Sequence, residues 1–276
     1  VRCLLFAACC LLCPLSVVHA ASQVAVTIQP LAHVLAALTL EPATADLIID
    51  SNQDPHHLVL RPSDRKAMAE ADLLVWIGPA LELPLQKVIR QKAAEQESVI
   101  ITVQDLPGIG LIMDGRQPDP HLWLDTDNVA ILANAVSAEL QRIDPDQTVA
   151  YQNRLQAFLL LLSETQTEIS TMLTPIAGNP WAVEHHAYRY LARQFGLAAP
   201  AILKDSDNNE AGLRSSLSFR AAIREQDLSC VVTEAGSNPG ELKELLDQPE
   251  LVVVSADILG LDVAVSETSY RQLMLQ

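Results

Sequence analysis

Cysteine is scarce and poorly placed for cross-linking: there are five in 276 residues, and Cys3, Cys9, Cys10 and Cys13 all fall within the first twenty. Once that segment is removed Cys230 stands alone, so no internal disulfide is expected. Basic residues are also few, 18 Lys and Arg against 34 Asp and Glu, for a formal charge of −16. That balance argues against nucleic acid or an anionic membrane as partner; its support for a cationic ligand is weak. Beyond the first twenty residues no apolar run is long enough to span a bilayer. There is no internal repeat, low-complexity tract or Gly/Ser linker, no HExxH pair, and no evident nucleophile or base motif.

About half of the chain is apolar, so it is globular, and its length suits two compact lobes better than one core. Residues 1–20, VRCLLFAACCLLCPLSVVHA, carry one positive charge, an apolar core from Cys3 to Leu15 and a small-x-small site at Val18-His19-Ala20. This is the pattern of a secretory signal peptide, which places the mature protein in the periplasm. Cys9 or Cys13 as a lipid-attachment site is a weaker alternative, since their neighbours suit that role poorly. An alternative bacterial start codon, translated literally, accounts for Val1. Loss of Arg2 leaves the mature chain one unit more acidic.

Short β-branched runs alternate with helical stretches: QVAVTI, DLIID, DLLVWIG and VIITV, then WAVEH, CVVTEAG and LVVVSAD. The expectation is an α/β protein of two lobes, each with a mostly parallel sheet flanked by helices. Between the two sets, Val149, Leu155, Phe158, Leu159, Leu162, Ile169 and Leu173 recur at helical steps with no internal Gly or Pro. They predict one long, rigid connecting helix from near Pro145 to near Pro175 that restricts hinge motion. The resulting division is 21–144 for the first lobe, 145–175 for the connector and 176–276 for the second lobe.

The mature histidines are His33, His56, His57, His121, His185 and His186. His33, in QPLAHVLAAL, reads as a packed or half-exposed helical residue. His56 and His57 follow a strand by a short loop and precede a helix that Pro62 starts. His185 and His186 end the strand WAVEH, and Asp257 ends LVVVSAD; carboxyl ends of parallel strands border the crevice where ligands bind. His121 precedes a helix that Asp125 or Thr126 caps. Three imidazoles with a carboxylate suit zinc. Spacing alone is a weak signal, since scattered histidines on loops are structural or solvated more often than not, and the residues taken together leave the two readings even.

The stretches DPHHLVLRPSD with ADLLVWIGPALE, PHLWLDTDN, HHAYRYLARQFGL, CVVTEAGSNPGEL and ADILGLDVAVSETSY together resemble the high-affinity zinc-binding proteins of bacterial ABC importers, within the zinc and manganese solute-binding group. The resemblance covers nearly the whole mature chain. It implies a monomeric receptor, not an enzyme, that takes Zn2+ as transported ligand and passes it to a membrane permease. Carried over by position, the ligands are His56, His121, His185 and Asp257, with His57 and His186 as neighbours. Relatives specific for manganese tend to carry glutamate where His185 stands, which tilts the choice to zinc; Glu184 is expected on the opposite strand face, solvated or locally paired. The chain departs from the family in lacking a histidine-rich loop between Leu106 and Pro120. Relatives also often pair a cysteine at the position of Cys230 with one near the carboxyl terminus, so a truncated or divergent end is expected after Gln276. The rivals are a manganese-binding transport receptor, a zinc hydrolase with a three-histidine site and Glu184 or Glu234 as base, and an adhesin that keeps a structural metal.

Overall fold

The computed structural model describes residues 23–40, 45–50, 53, 55–94, 98–204, 213–228 and 230–276; the expected signal segment lies outside them. The first lobe is built from β1 (Val24–Val26), α1 (Gln29–Leu38), β2 (Ala45–Leu47), α2 (Pro62–Glu70), β3 (Leu73–Trp76), α3 (Gln86–Ala94) and β4 (Val99–Thr102). Its four strands are parallel in the order β2-β1-β3-β4. A two-stranded hairpin, β5 (Met113–Asp114) and β6 (Gln117–Pro118), then leads to α4 (Thr126–Ile143). Continuous apolar runs such as Leu73–Trp76 form central strands because both of their faces are covered, and all four residues are buried.

The connecting helix α5 (Thr148–Leu173) has 26 residues, a rod of about 39 Å, with single 3-10 turns at 145–147 and 174–176. Its inward face is Tyr151, Phe158, Leu162, Thr165 and Ile169. Val149, expected on that face, is 68% exposed, and Tyr151, on the other side of the helix, is buried in its stead. Thr165 tolerates burial because its hydroxyl donates to Leu161 O at 2.6 Å.

The second lobe follows as β7 (Ala182–His185), α6 (Arg189–Phe195), β8 (Ala201–Lys204), α7 (Leu213–Glu225), β9 (Cys230–Glu234), α8 (Pro239–Leu246), β10 (Val252–Ala256) and α9 (Ser269–Met274). Its sheet, β10-β9-β7-β8, is also all parallel. Counted from its own first strand, each lobe has the same order: the second strand lies on one side of the first, and the third and fourth on the other. Each sheet therefore has one switch point, between β1 and β3 and between β7 and β9. Helix α9 returns to the first lobe, where Tyr270 and Leu273 join the core and the Tyr270 hydroxyl donates to Trp123 O at 2.8 Å. It packs with α4 and α5 around α1, whose residues Pro30 to Leu38 are all buried. Among the described residues no helix is long and apolar enough to cross a membrane.

Glu82 closes the crevice at the first lobe's switch point. Its buried carboxyl accepts the Thr27 hydroxyl at 2.5 Å, just beyond β1, and the Ile77 and Gly78 N–H groups at 3.3 and 3.0 Å, just beyond β3. Burial outweighs these donors and pushes its pKa up to about 7. A carboxyl with a raised folded-state pKa stabilises the fold fully below its unfolded value, near 4.5. That stabilisation, on the order of 3 kcal/mol, is lost as pH climbs to about 7. Urea unfolding at stepped pH is expected to show stability falling across pH 4.5 to 7 more steeply in the parent than in Glu82→Gln; equal slopes would show that Glu82 is already ionised in the fold.

Candidate metal centre

The three histidines that converge come from three different kinds of local structure. His56 sits in a single 3-10 turn, Pro55–His57, between β2 and α2. Arg61 fastens the ends of that connection together. It pairs with Asp50 beyond β2 and with Asp64 in the first turn of α2, where Nη2 is 3.0 Å from Oδ1 and the Arg61 N–H donates to Oδ2 at 2.8 Å. His121 precedes a 3-10 turn of three buried residues, Leu122 to Leu124, that leads into α4. Asp125 is the cap there, accepting the Asp127 and Asn128 N–H groups at 2.9 and 3.3 Å. His185 is the last residue of β7.

One potential ligand atom from each of His56, His121 and His185 lies within 4.8 Å of the other two. Their ring centroids are 5.0 to 6.4 Å apart. A tetrahedral zinc ion with bonds near 2.0 Å needs nitrogens roughly 3.3 Å apart.

Carboxylates hold two of the rings. His121 is buried, and its Nδ1 is 2.9 Å from Asp119 Oδ1, which also accepts the His121 backbone N–H at 3.0 Å. A carboxylate at Nδ1 keeps the proton there and leaves the Nε2 lone pair for an ion. The Nδ1 of His185 is likewise paired with Glu234 Oε1. Glu234 ends β9, so the pair spans the second lobe's switch point. Burial opposes the Glu234 charge, but the hydrogen bond to His185 and the fields of His185, His121 and Lys204 outweigh it and hold its pKa below the ordinary value.

Asp257, just beyond β10, is not in the group of three. Its Oδ1 accepts the Leu259 and Gly260 N–H groups at 3.2 and 2.9 Å, and its Oδ2 accepts that of Asp262 at 3.1 Å. The carboxylate shapes its own turn. Gly260 takes φ +67° in that turn, and a Cβ there would lie 2.7 Å from His33 Nε2. His33 is wholly buried, with Nε2 3.0 Å from Gly260 O and Nδ1 2.9 Å from Ser269 Oγ, and burial lowers its pKa. It ties α1 to the Asp257 turn. His186 does not join the group either, and the side chain of His57 lies outside the described residues. Glu184 is buried and paired, receiving Lys204 Nζ at 2.8 Å and Ser237 Oγ at 2.6 Å.

Sequence reasoning missed the residues that wire the seam beside His121. From α6, Tyr190 donates its hydroxyl to Asp119 O at 2.9 Å, and Arg193 donates to Asp125 Oδ2 at 2.7 Å and Gly110 O at 2.9 Å. Gln194 exchanges two hydrogen bonds with Thr126. Trp123, next but one to His121, donates its indole N–H to Ile258 O at 2.8 Å. The signal for Asp119 was its place two residues before a candidate ligand; the α6 contacts carry no local signal.

Residues 24–276 match the family described as zinc-uptake complex component A, periplasmic. A relative from Yersinia pestis, "High-affinity zinc uptake system protein ZnuA", is 24% identical over 93% of this chain and 89% of its own length. The solved "Crystal structure of ZnuA" aligns over 92% of this chain and 97% of that one, with a TM-score of 0.79 and 23% identity. A ZnuA deletion mutant solved with zinc bound aligns over 92% and 95%, with a TM-score of 0.78 and 24% identity. These likenesses extend the two-lobed fold to solved relatives.

Asp119→Ala frees the His121 ring and removes the carboxylate behind Nδ1, so zinc affinity is expected to fall by about 10- to 100-fold. Competition with a chromophoric chelator measures it, and unchanged affinity would mean that packing alone orients the ring.

Proposed function

The chain belongs to the family of periplasmic zinc-uptake complex A components, and from that premise we propose that it is an extracytoplasmic receptor that captures Zn2+ between its lobes and delivers it to the permease of an ABC importer. The observation that carries the reading is the convergence of His56, His121 and His185, with carboxylates behind two of the three rings. In this reading residues 21–144 and 176–276 are the ligand-bearing lobes of a monomer, joined through 145–175, and residues 1–20 direct export to the periplasm. His56 and His121 are the ligands from the first lobe, and His185 and Asp257 those from the second.

Asp257 suits the fourth place because three backbone N–H groups occupy three of the roughly four acceptor sites of a carboxylate. One site on Oδ2 is left for the ion. Three nitrogen donors favour zinc over the harder manganese ion, which prefers oxygen. A hydrolase needs a free base beside the metal, but Glu184 is engaged by Lys204 and Ser237, and Glu234 by His185. That arrangement supports a receptor, not an enzyme.

Calorimetric titration of the metal-stripped mature protein is expected to show one tight zinc site and much weaker manganese binding. Equal affinity for the two ions would favour the manganese-receptor reading. His121→Ala and His185→Ala should each weaken zinc by more than about 100-fold, with His57→Ala costing less. Asp257→Asn should also lose affinity; retained metal together with turnover in the parent would favour the hydrolase. Because ligand imidazoles must shed their protons, affinity should decline as pH drops below about 6.5. Binding that ignores pH across that range would count against histidine ligation.

A further inference from the structure

Two solvent-shielded atoms of opposite charge beside the site make no hydrogen bond among the described residues. Arg189, the first residue of α6, donates one arm of its guanidinium, Nη2, to Met113 O at 3.1 Å. The other arm, Nη1, lies 4.0 Å from Asp119 Oδ2. Neither Nη1 nor Oδ2 has a hydrogen-bond partner among the described residues, and both atoms are shielded from solvent. Leaving such groups unmade is unfavourable, and more so when they are charged. A charge-assisted pair closes at roughly 2.7–2.9 Å, so the gap is about 1 Å too wide.

The same two chain segments carry the metal ligands. Arg189 follows His185 by four residues on the β7–α6 connection, and Asp119 precedes His121 by two. A potential ligand atom of His121 lies within 4.8 Å of one of His185, and a shared tetrahedral ion fixes that separation at roughly 3.3 Å. An ion that fixes the two imidazoles also fixes the segments that carry Arg189 and Asp119. The Tyr190 hydroxyl, which accepts the Ile112 N–H at 3.1 Å and donates to Asp119 O at 2.9 Å, already holds the backbones in register, so the movement is a tightening and not a rearrangement. The competing anion, Asp114, is also 4.0 Å from Nη1 but largely exposed, where an ion pair is worth little.

We propose that Arg189 is a metal-coupled latch: when His121 and His185 close on the ion, its free arm closes on Asp119 Oδ2, so that this carboxylate grips His121 through one oxygen and the other lobe through the second. The inference rests on the receptor reading above. Arg189 is a positioning residue in this account, acting on the ion through Asp119 and His121. Because the pair tightens to a hydrogen bond in the loaded state, it holds zinc in, and force applied to α6 by a docking partner opens it.

The test compares Arg189→Met, Arg189→Lys and the parent as mature, full-length proteins, measuring zinc affinity by chelator competition, zinc release into excess EDTA and melting temperature with and without zinc. Arg189→Met is expected to bind zinc about tenfold more weakly, mostly through faster release, with the zinc-bound melting temperature lowered more than the metal-free one. Arg189→Lys should recover part of the loss. Should Arg189→Met fail to fold, Arg189→Gln carries the same expectation and keeps a donor for Met113 O. Parent-like affinity and release in Arg189→Met, or equal drops in both melting temperatures, would overturn the latch and leave the receptor reading standing. A parent that binds no zinc would overturn both.

Discussion

The contact on which the site depends is a carboxylate against the back of an imidazole. A histidine left to itself exchanges its proton between two nitrogens and turns its ring freely, and neither habit suits an ion that needs a lone pair at a fixed point. Asp119 removes both freedoms from His121: Oδ1 takes the ring N–H and the backbone N–H of the same residue. Glu234 does the same to the His185 ring from the neighbouring strand. The proposed ligand set thus starts from rings held in one direction, so little ordering is left to accompany capture.

The two lobes share a strand order and use it differently. In the second lobe the switch point carries His185 and Glu234 side by side, as the general rule for open parallel sheets leads one to expect. In the first, Glu82 fills the equivalent crevice with a carboxyl bound to Thr27, Ile77 and Gly78. That lobe's imidazoles arrive from the β2–α2 turn and from the approach to α4. The asymmetry explains why the seam is rich in hydrogen bonds from α6, since a ligand carried on a long connection needs bracing that a strand end supplies for itself.

Much of this architecture was legible in the chain. Seven apolar runs became parallel strands, Pro62 and Asp125 marked the helix starts they were expected to mark, and the connector runs unbroken between its prolines. The strand Ala201–Lys204 escaped notice because AILK holds a single β-branched residue, and the Met113–Pro118 hairpin because strands of two residues leave no periodicity to read. Val149 was placed on the buried face by spacing alone, whereas the bulkier Tyr151 took the inward position. At the site, His56, His121 and His185 were found through resemblance, not spacing. Asp119, Arg189 and Tyr190 act across the seam from 70 or so residues away, a distance at which single-sequence patterns say nothing.

The seam also bears on the thermodynamics of capture. Trp123 to Ile258, Tyr190 to Asp119, Gln194 to Thr126 and His33 to Gly260 all join the halves through protein groups alone. An interface already formed exposes little apolar surface that loading could bury, and burial of such surface is what changes heat capacity on binding. Capture should therefore leave the heat capacity nearly constant and draw its free energy from bonds to the ion and the release of its water. Discrimination among ions then falls to the geometry of a few nitrogens and oxygens, because the protein around them tightens without rearranging.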